Sequence, residues 1–390
     1  MYCESHGTLR GVPWKLAPGA ATVHVLVTAD TLSGVWPYTR ELVTGLAQRG
    51  IRVTLVSWGE IPTAEQTEWM DGLHGLDFRP TAFRVEWMRD AEADLHSAQE
   101  LLQSIIAESP PDLLHLNHFY FGALRTDIPK VLVAHGDVLS WWESVHHSHP
   151  KREDSWIAWY REMVSIGMTE ATAVVAPSQW MLSALRSIYT HPRLSSVIYP
   201  GRFPALFNPH VSKEMIAISV GRIWDFGKNS AMLSRFESPI PLYLMGPDSE
   251  PEHESNRNVF TPRQRLHVKN IQSEKHLRQL YAKSAIYIAT SQYEPFGMSS
   301  VEAALSRCAI IASDIPSHRE IWGDAVSYFP NNDADALQQV LRELSSDREL
   351  CATYGKLAYD RARLRFNASR MVDDYLHLYQ ALAPAGAVAA

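Results

Sequence analysis

The sequence predicts two α/β domains, each built on a parallel sheet with helices on both faces. A chain of 390 residues is too long for one core of ordinary size. From about residue 22, short apolar runs typical of strands alternate with amphipathic helical runs, and this alternation indicates parallel sheets. The segment 200–210 is rich in proline, glycine and asparagine, and beyond it the alternation starts again. We therefore expect two domains that face each other across a cleft.

The first half contains six predicted strands and four predicted helices. The strands are expected at 23–29, 51–57, 112–116, 131–135, 172–176 and 195–199, and the helices at 38–49, 91–108, 153–167 and 178–187. Ser178 is the expected N-cap of the last of these helices, because its hydroxyl can accept a hydrogen bond from a free backbone N–H group. Residues 1–21 show no periodicity and are expected to be a flexible lead-in. The first domain is therefore predicted to span 22–205.

The second half repeats the pattern. Strands are expected at 216–221, 241–246, 285–289, 309–313 and 326–329. Helices are expected at 273–283 and 301–305, from about 334 and 348, and at 371–382. We predict that the second domain spans 206–368. Residues 369–390 are expected to form a helix that returns to the first domain, followed by a frayed tail.

Composition argues against several classes of protein. The net charge of −7 and the absence of an arginine-rich stripe argue against a nucleic-acid partner. They also provide no broad basic surface for anionic lipid, which leaves only a local peripheral membrane contact open. No apolar run approaches the roughly 20 residues of a membrane span, and the N-terminus lacks the pattern of a signal peptide. The three cysteines are scattered, which favours a reducing compartment. We expect a cytoplasmic protein, in an oligomeric state that the sequence leaves open.

The most informative segment is Glu294-Pro-Phe-Gly-Met-Ser-Ser-Val-Glu302. It joins a predicted strand to a predicted helix, so one carboxylate lies at the end of the strand and the other about one turn into the helix. The backbone amides of Phe296 to Ser299 then lie at the helix start, where they can bind an anion. Carboxylates accept paired hydrogen bonds from vicinal diols. The segment therefore predicts a site for a sugar nucleotide, which has both kinds of group.

This segment resembles the Glu-x7-Glu motif of retaining glycosyltransferases that have two Rossmann-like domains facing across a cleft (the GT-B fold), and family 4 in particular. Val220-Gly-Arg222-Ile-Trp-Asp-Phe-Gly-Lys228 is similar to the Val-Gly-Arg…Lys-Gly signature of that family. The resemblance implies that Arg222 and Lys228 hold the donor diphosphate and stabilise it as it leaves. Asn229 stands where the family usually has glycine, and we expect little consequence.

Segments of the first half resemble the same family. Gly34 lies in a loop similar to its glycine loop, although this chain has one glycine where two are common, and the bulky Trp36 suggests an altered acceptor mouth. His135 stands where family members often have a histidine that contacts the donor sugar. Asp137 either orients His135 or meets an acceptor hydroxyl. Ile271, before a predicted helix, falls where the family cradles the nucleobase.

The resemblance implies transfer of a hexose from a nucleoside-diphosphate sugar, UDP- or GDP-hexose, to a hydroxyl acceptor with retention. Glu302 would hold the ribose diol, and Glu294 would fix sugar hydroxyls. The rest of the implied donor site comprises Gly34, Ile271, Phe296, Gly297, Met298 and Ser299, and the implied catalytic set is His135, Arg222, Lys228 and Glu294. No cofactor or metal is required. Two alternatives stay open: an epimerase of the same fold, and a non-catalytic sugar-nucleotide or glycan-binding protein.

Three other features of the sequence suggest binding sites, and two of them have a preferred alternative interpretation. Asp333-Ala-Asp335 has the form of a metal-binding motif, but the pattern favours a helix N-cap with an acid in the first turn. His146, His147 and His149 could ligate zinc, but a loop that contacts the acceptor is the preferred interpretation. Tryptophans are concentrated before residue 201, and Trp141 and Trp142 are the candidates for acceptor stacking.

Overall fold

The computed structural model describes residues 23–151, 154–248, 263–270 and 273–382. Its first sheet has seven strands, in the order β3-β2-β1-β4-β5-β6-β7, and every pairing is parallel. These strands are β1 (His24–Asp30), β2 (Arg52–Trp58), β3 (Leu76–Pro80), β4 (Leu113–Leu116), β5 (Lys130–Val133), β6 (Ala173–Ala176) and β7 (Ser195–Val197).

Helices cover both faces of this sheet. They are α1 (Val35–Ala47), α2 (Ala64–Thr67), α3 (Glu92–Glu108), α4 (Val138–His146), α5 (Ser155–Glu170) and α6 (Gln179–Ile188). Leu26 packs into the apolar cluster that contains α3, α5 and α6, whereas its neighbours Val25 and Val27 pack into the cluster that contains α1. Burial on both faces explains why the middle of β1 is a continuous apolar run instead of an alternating one.

The second sheet has six parallel strands in the order β10-β9-β8-β11-β12-β13. They are β8 (Glu214–Val220), β9 (Leu242–Met245), β10 (Leu266–Lys269), β11 (Ser284–Ala289), β12 (Ala309–Asp314) and β13 (Ser327–Pro330). The remaining helices are α7 (Glu274–Lys283), α8 (Met298–Leu305), α9 (Pro316–Trp322), α10 (Ala334–Ser346), α11 (Arg348–Arg365) and α12 (Ala368–Leu382). Two apolar clusters flank this sheet, as in the first domain.

The chain passes between the two domains at two adjacent segments. Arg202 and Asn367 form an isolated parallel bridge there, so the outgoing and returning chains lie side by side. After this bridge α12 packs on the first domain, where Tyr375 and Tyr379 join its core. A β-carbon at Gly45 of α1 would lie 2.5 Å from a methyl carbon of Val372, so the two helices approach closely. The last helix therefore ties the C-terminal part of the chain to the first sheet.

Most predicted elements are present, with shifts at their ends. The Ser178 N-cap is confirmed, since its hydroxyl accepts a hydrogen bond from Met181 N at 3.1 Å. The Asp333 N-cap is also confirmed, with Ala336 N as donor at 2.9 Å. The prediction of a loop at 146–149 is wrong for His146, which is the last residue of α4. The strands β3 and β10 were not predicted, because they are largely exposed and contain charged residues, so no continuous apolar run marks them.

Candidate active site

The candidate site lies where the strand order of each sheet reverses. In the first sheet the chain leaves β1 toward β2 on one side, whereas β4 continues to β5 on the other side; β8 and β11 stand in the same relation in the second sheet. Ligands of open α/β sheets bind at such switch points, beyond the carboxyl ends of the strands. Asp30 ends β1 and Asn117 follows β4, whereas Arg222 follows β8 and Glu294 follows β11. The sheet topology therefore brings these four residues to the expected ligand edges.

Arg222 and Lys228 are each held by a carboxylate. Arg222 lies 2.6 Å from an oxygen of Asp225, which is 5% exposed, and Lys228 Nζ lies 2.5 Å from Glu294 Oε2. Burial alone would favour neutral carboxyl groups, but the neighbouring cations hold the pKa of Asp225 and the pKa of Glu294 below their usual values. Both carboxylates therefore stay ionised at neutral pH, and both cations are paired.

A cavity opens at this edge of the second sheet. Ser219, Gly221, Lys228, Thr290, Ser291 and Glu294 are among the residues that line it. Ser291 donates a hydrogen bond to Glu294 Oε2 at 3.1 Å, and Thr290 donates one to the backbone oxygen of Lys228 at 2.7 Å. These contacts join the loop after β11 to the loop after β8, so Lys228 and Glu294 lie on the same wall of the cavity.

The start of α8 supplies free backbone donors next to Glu294. Gly297 is the N-cap residue, with φ 92°, and a β-carbon there would lie 3.3 Å from Glu294 Cγ. Only glycine adopts this backbone conformation without strain, so the residue type fixes the turn. Met298 and Ser299 begin the helix and are half-buried, whereas Phe296 is buried against Phe366. The amides of the first turn have no acceptor within the helix and can bind an anion or a sugar oxygen.

Glu302 belongs to a buried ionic cluster that the sequence did not predict. Its Oε1 lies 3.1 Å from Nε of Arg202, a residue of the crossing segment that is 0% exposed. The other guanidinium nitrogens of Arg202 lie 2.7 Å from Glu41 and 2.6 Å from Glu274. Burial raises the pKa of Glu302, and the charge of Arg202 opposes that rise. Arg202 therefore connects α1 of the first domain with α7 and α8 of the second.

His135 lies on the opposite wall, at the carboxyl end of β5. Its Nε2 is 2.8 Å from Asn117 Oδ1, and its ring packs edge-on against Tyr38. Asn117 Nδ2 donates to the backbone oxygen of Thr28 at 2.5 Å, which fixes the orientation of the amide. Nε2 of His135 therefore carries the proton, and Nδ1 is an acceptor. Burial lowers the pKa of His135 to about 3, so the imidazole is neutral at pH 7.

The two walls are in contact next to these residues. A β-carbon at Gly136 would lie 3.2 Å from the Tyr293 hydroxyl oxygen and 3.6 Å from Pro295 Cγ. The Tyr293 hydroxyl accepts a hydrogen bond from the backbone N–H of Asp137 at 3.0 Å and lies 2.9 Å from the Ser140 hydroxyl oxygen. Since Tyr293 and Pro295 flank Glu294, the loop that carries this glutamate packs directly against the loop that carries His135.

The side chains predicted to lie on the acceptor side have other partners. Asp137 caps α4 and accepts a hydrogen bond from the Tyr189 hydroxyl at 2.6 Å, so its carboxylate is committed to the helix terminus. Trp36 is buried in the first core and donates to the backbone oxygen of Gln66. Trp141 reaches across the cleft to the second domain, where it donates to Asp225 at 2.9 Å.

The other predicted positions differ in their surroundings. The ring of Trp142 packs on His146, with ring centroids 4.3 Å apart. Gly34 is exposed at the start of α1, and a β-carbon there would meet no atom within 4 Å, so the fold does not require glycine at this position. His149 pairs with Glu143 at 2.6 Å. Ile271 lies outside the described residues.

Three charged residues of the site were not predicted from the sequence. Asp30 is buried at the end of β1, and burial raises its pKa, although hydrogen bonds from Ser33 and Leu32 N and the charge of Arg222 oppose the rise. Asp225 and Arg202 hold Arg222 and Glu302, respectively. Asp225 lies within the Val-Gly-Arg…Lys segment, three residues after Arg222, so that spacing was an available signal. Nothing in the sequence pairs Arg202 with three glutamates.

Comparison with known proteins identifies the family. The model for "Glycosyltransferase Family 4" matches residues 32–202, and the model for "Glycosyl transferases group 1" matches residues 233–361. The alpha-maltose-1-phosphate synthase of Mycobacterium tuberculosis is 25% identical over 346 residues, which cover 77% of this chain and 88% of that protein. The lipopolysaccharide core biosynthesis mannosyltransferase LpcC of Rhizobium leguminosarum bv. viciae is 29% identical over 104 residues, 26% of this chain and 30% of that protein.

Solved structures have the same two-domain fold. Sucrose-phosphate synthase from Thermosynechococcus elongatus superposes with a TM-score of 0.72 at 18% identity, covering 93% of this chain and 99% of that one. Anabaena HepE in complex with UDP-glucose gives a TM-score of 0.69 at 15% identity, covering 92% and 100%. These likenesses confirm the predicted GT-B fold. Together with the two family models, which match most of both domains, they show that the chain belongs to the family 4, group 1 glycosyltransferases.

Proposed function

We propose that this glycosyltransferase moves a hexose from a nucleoside-diphosphate sugar to a hydroxyl acceptor with retention at the anomeric carbon. The observation that carries the proposal is the position of Arg222 and Lys228 at the switch point of the second sheet, on the wall that packs against the His135 loop. Breaking a sugar–phosphate bond leaves negative charge on the phosphate. Two fixed cations at that point stabilise the transition state without a metal ion.

Donor binding would replace Glu294 with the donor diphosphate as the partner of Lys228. The ammonium group now pairs with Glu294 at 2.5 Å. A diphosphate carries more charge than one carboxylate and can draw Lys228 away, which frees Glu294 to accept hydrogen bonds from sugar hydroxyls. The amides of Met298 and Ser299 at the start of α8 would bind the remaining sugar or phosphate oxygens. The movement of Lys228 thus brings a cation to the leaving diphosphate and leaves Glu294 free to orient the sugar.

The remaining donor contacts come from both walls. Glu302 has Oε1 next to Arg202, so Oε2 is the oxygen proposed for the ribose diol. Neutral His135 would hold a sugar hydroxyl through Nδ1, its acceptor nitrogen. Phe296 would support this segment from the core, and Ile271 and Gly34 are proposed to approach the base and the phosphates.

The acceptor hydroxyl would attack from the face that the phosphate leaves. In this step a bond forms between the acceptor oxygen and the anomeric carbon, the bond from that carbon to the phosphate oxygen breaks, and the acceptor proton passes to the leaving phosphate. Asp30 ends β1 on the first-domain wall, and we propose that the lone pairs left by its hydrogen bonds from Leu32 N and Ser33 Oγ orient the acceptor hydroxyl. We further propose a cytoplasmic location, which the unpaired, buried thiols of Cys308 and Cys351 support.

The first experiment identifies the donor. Binding of UDP, GDP and ADP is measured by isothermal titration, and turnover is measured with UDP-glucose and GDP-mannose against a panel of hydroxyl acceptors. UDP-glucose is included because Anabaena HepE binds it, and a mannose donor because LpcC is a mannosyltransferase. Proton NMR of the first product reports whether the anomeric configuration is kept. Failure of all three diphosphates to bind would remove the basis of the proposal.

The second experiment tests the cationic pair. Arg222→Met should lower turnover by at least about 100-fold, since it removes one of the charges placed at the leaving group. Arg235→Met is the matched control, because Arg235 is an exposed arginine of the same domain that contacts Asn332. Equal activity of the two variants would exclude Arg222 from the mechanism.

Two alternatives give different results in these assays. An epimerase would consume the donor sugar with no acceptor present and would need acid–base groups at the epimerised carbon. A non-catalytic binding protein would retain nucleotide affinity with no transfer to any acceptor. The ionised pairs at Arg222 and Lys228 favour the transferase, because a binding protein has no leaving group to stabilise.

A further inference from the structure

The indole of Trp141 makes a hydrogen bond from one domain to the other. Trp141 lies on α4 of the first domain, and its Nε1–H donates to Asp225 Oδ1 at 2.9 Å. Asp225 lies in the second domain, between β8 and the short 3₁₀ turn that contains Lys228. A contact of this kind exists only while the two domains are close together, so it differs from contacts within either sheet.

Asp225 connects this contact to the candidate catalytic arginine. Its second oxygen, Oδ2, lies 2.6 Å from Arg222, while Oδ1 also accepts a hydrogen bond from the backbone N–H of Gly227 at 2.8 Å. The carboxylate is buried and receives donors from three directions. Because Arg222 is 35% exposed whereas Asp225 is buried and held by two further donors, the orientation of the Asp225 carboxylate sets the position of the guanidinium.

Gly227 provides the space for the indole. A β-carbon at this position would lie 2.6 Å from Trp141 Nε1 and 3.0 Å from Asp225 Oδ1. The backbone oxygen of the same glycine accepts hydrogen bonds from Gln292 N at 2.8 Å and Tyr293 N at 3.1 Å. The indole therefore fits against the point where the loops that carry Lys228 and Glu294 are joined.

We propose that Trp141 is a positioning residue that couples closure of the two domains to the placement of Arg222. This inference rests on the proposed role of Arg222 at the donor diphosphate. When the domains separate, Trp141 withdraws its donor from Asp225, and Arg222 loses one of the constraints on its orientation. The full leaving-group site then exists only in the closed cleft, from which water is excluded.

The experiment compares two tryptophans of the first domain. Trp141→Phe keeps an aromatic ring and removes the N–H donor. Trp156→Phe makes the same change on α5, where the buried indole nitrogen has no hydrogen-bond partner among the described residues. Both variants and the unmodified protein are titrated with UDP, GDP and ADP, and with the monophosphate of the nucleotide that binds. Turnover of UDP-glucose and GDP-mannose and the melting temperature are measured on the same samples.

Loss of the hydrogen bond in Trp141→Phe should weaken binding of the nucleoside diphosphate or slow turnover by about 10-fold or more, the usual effect of a bond to a charged group. Affinity for the monophosphate should stay within about 2-fold, since only the diphosphate needs Arg222, and general damage to the fold would change both. Trp156→Phe should match the unmodified protein. Equal results for the two variants would overturn the coupling by Trp141. If the unmodified protein binds none of the three diphosphates, the proposed function fails first, and the role of Trp141 fails with it.

Discussion

Arg202 provides the sharpest test of how the two domains are held together. Its fully buried guanidinium faces Glu41, Glu274 and Glu302 at 2.7, 2.6 and 3.1 Å. Arg40 also pairs with Glu41 and Glu274, so the cluster contains two cations and three carboxylates. Arg202→Met retains an unbranched apolar side chain but leaves one cation for three carboxylates. In this variant Glu302 has no ion-pair partner among the described residues.

The expected loss of stability is large. Removing one partner of a buried ion pair costs about 3–5 kcal/mol, because the remaining charges stay buried without compensation. For a domain of 150–250 residues each kcal/mol lowers the melting temperature by about 2–4 °C, so Arg202→Met should melt about 6–20 °C below the unmodified protein. The change is measured by far-ultraviolet circular dichroism during heating.

A second arginine provides the control. Arg49 pairs with Asp373 at 2.5 Å and so joins α1 to α12, but the two side chains are 20% and 51% exposed. An exposed pair of this kind contributes about 0.2–1 kcal/mol, so Arg49→Met should lower the melting temperature by at most about 4 °C. If both variants melt at the same temperature, the buried cluster does not hold the domains together, and the argument from burial is refuted.

Three further predictions concern the site and the pH dependence of stability. Gly227→Ala should displace the indole of Trp141, whose Nε1 would lie 2.6 Å from the new β-carbon, and should weaken binding of the diphosphate by about 10-fold in titration calorimetry. His115 is buried and its folded pKa is lowered to about 3 from 6.5, so the unfolded chain binds more protons between these values. Relative to His115→Gln, the free energy of unfolding of the unmodified protein should therefore decrease as the pH falls from 6.5 toward 3, by up to about 1.4 kcal/mol per pH unit, in urea titrations. Burial raises the pKa of Glu86 from 4.5 to about 7, so its ionisation destabilises the fold as the pH rises between these values. Glu86→Gln should gain up to about 3 kcal/mol relative to the unmodified protein between pH 4.5 and 7.

Each of these predictions has an outcome that contradicts it. Unchanged affinity of Gly227→Ala for the diphosphate would show that the indole has room to move. If the difference in free energy of unfolding between the unmodified protein and His115→Gln stays constant from pH 6.5 to pH 4, the pKa of His115 is not lowered in the folded state. Glu86 accepts hydrogen bonds from Phe119 N and Tyr120 N, so the substitution also has a constant cost. The pH dependence of the difference between the two proteins is therefore the decisive quantity, and a flat difference would contradict the assignment.

Most of the strands were predicted from the sequence, including the edge strands β7 and β13, whereas the edge strands β3 and β10 were not. β1 and β11 are buried along their lengths, so their apolar runs are visible without knowledge of the fold. β3 and β10 lie at sheet edges and are largely exposed, so no comparable run marks them. The helix α4 was not predicted as a helix, although Asp137, which caps it, was predicted as a candidate for the acceptor site. A capping aspartate and an acceptor-binding aspartate have the same appearance in the sequence.

The sequence by itself determined the two parallel sheets and the local construction of the edge of the second sheet that carries the candidate site, because strand ends and helix starts depend on residues close together in the chain. Glu294, Gly297 and Met298 lie within one strand–turn–helix segment, so their grouping required no knowledge of the rest of the fold. The tertiary structure alone decided the partners of that edge. Trp141 and Asp225 are 84 residues apart and Arg202 and Glu274 are 72 apart, and each pair meets only because the two domains pack against each other. Spacing in a sequence specifies which residues share a local element, whereas contacts between distant side chains depend on how whole elements pack.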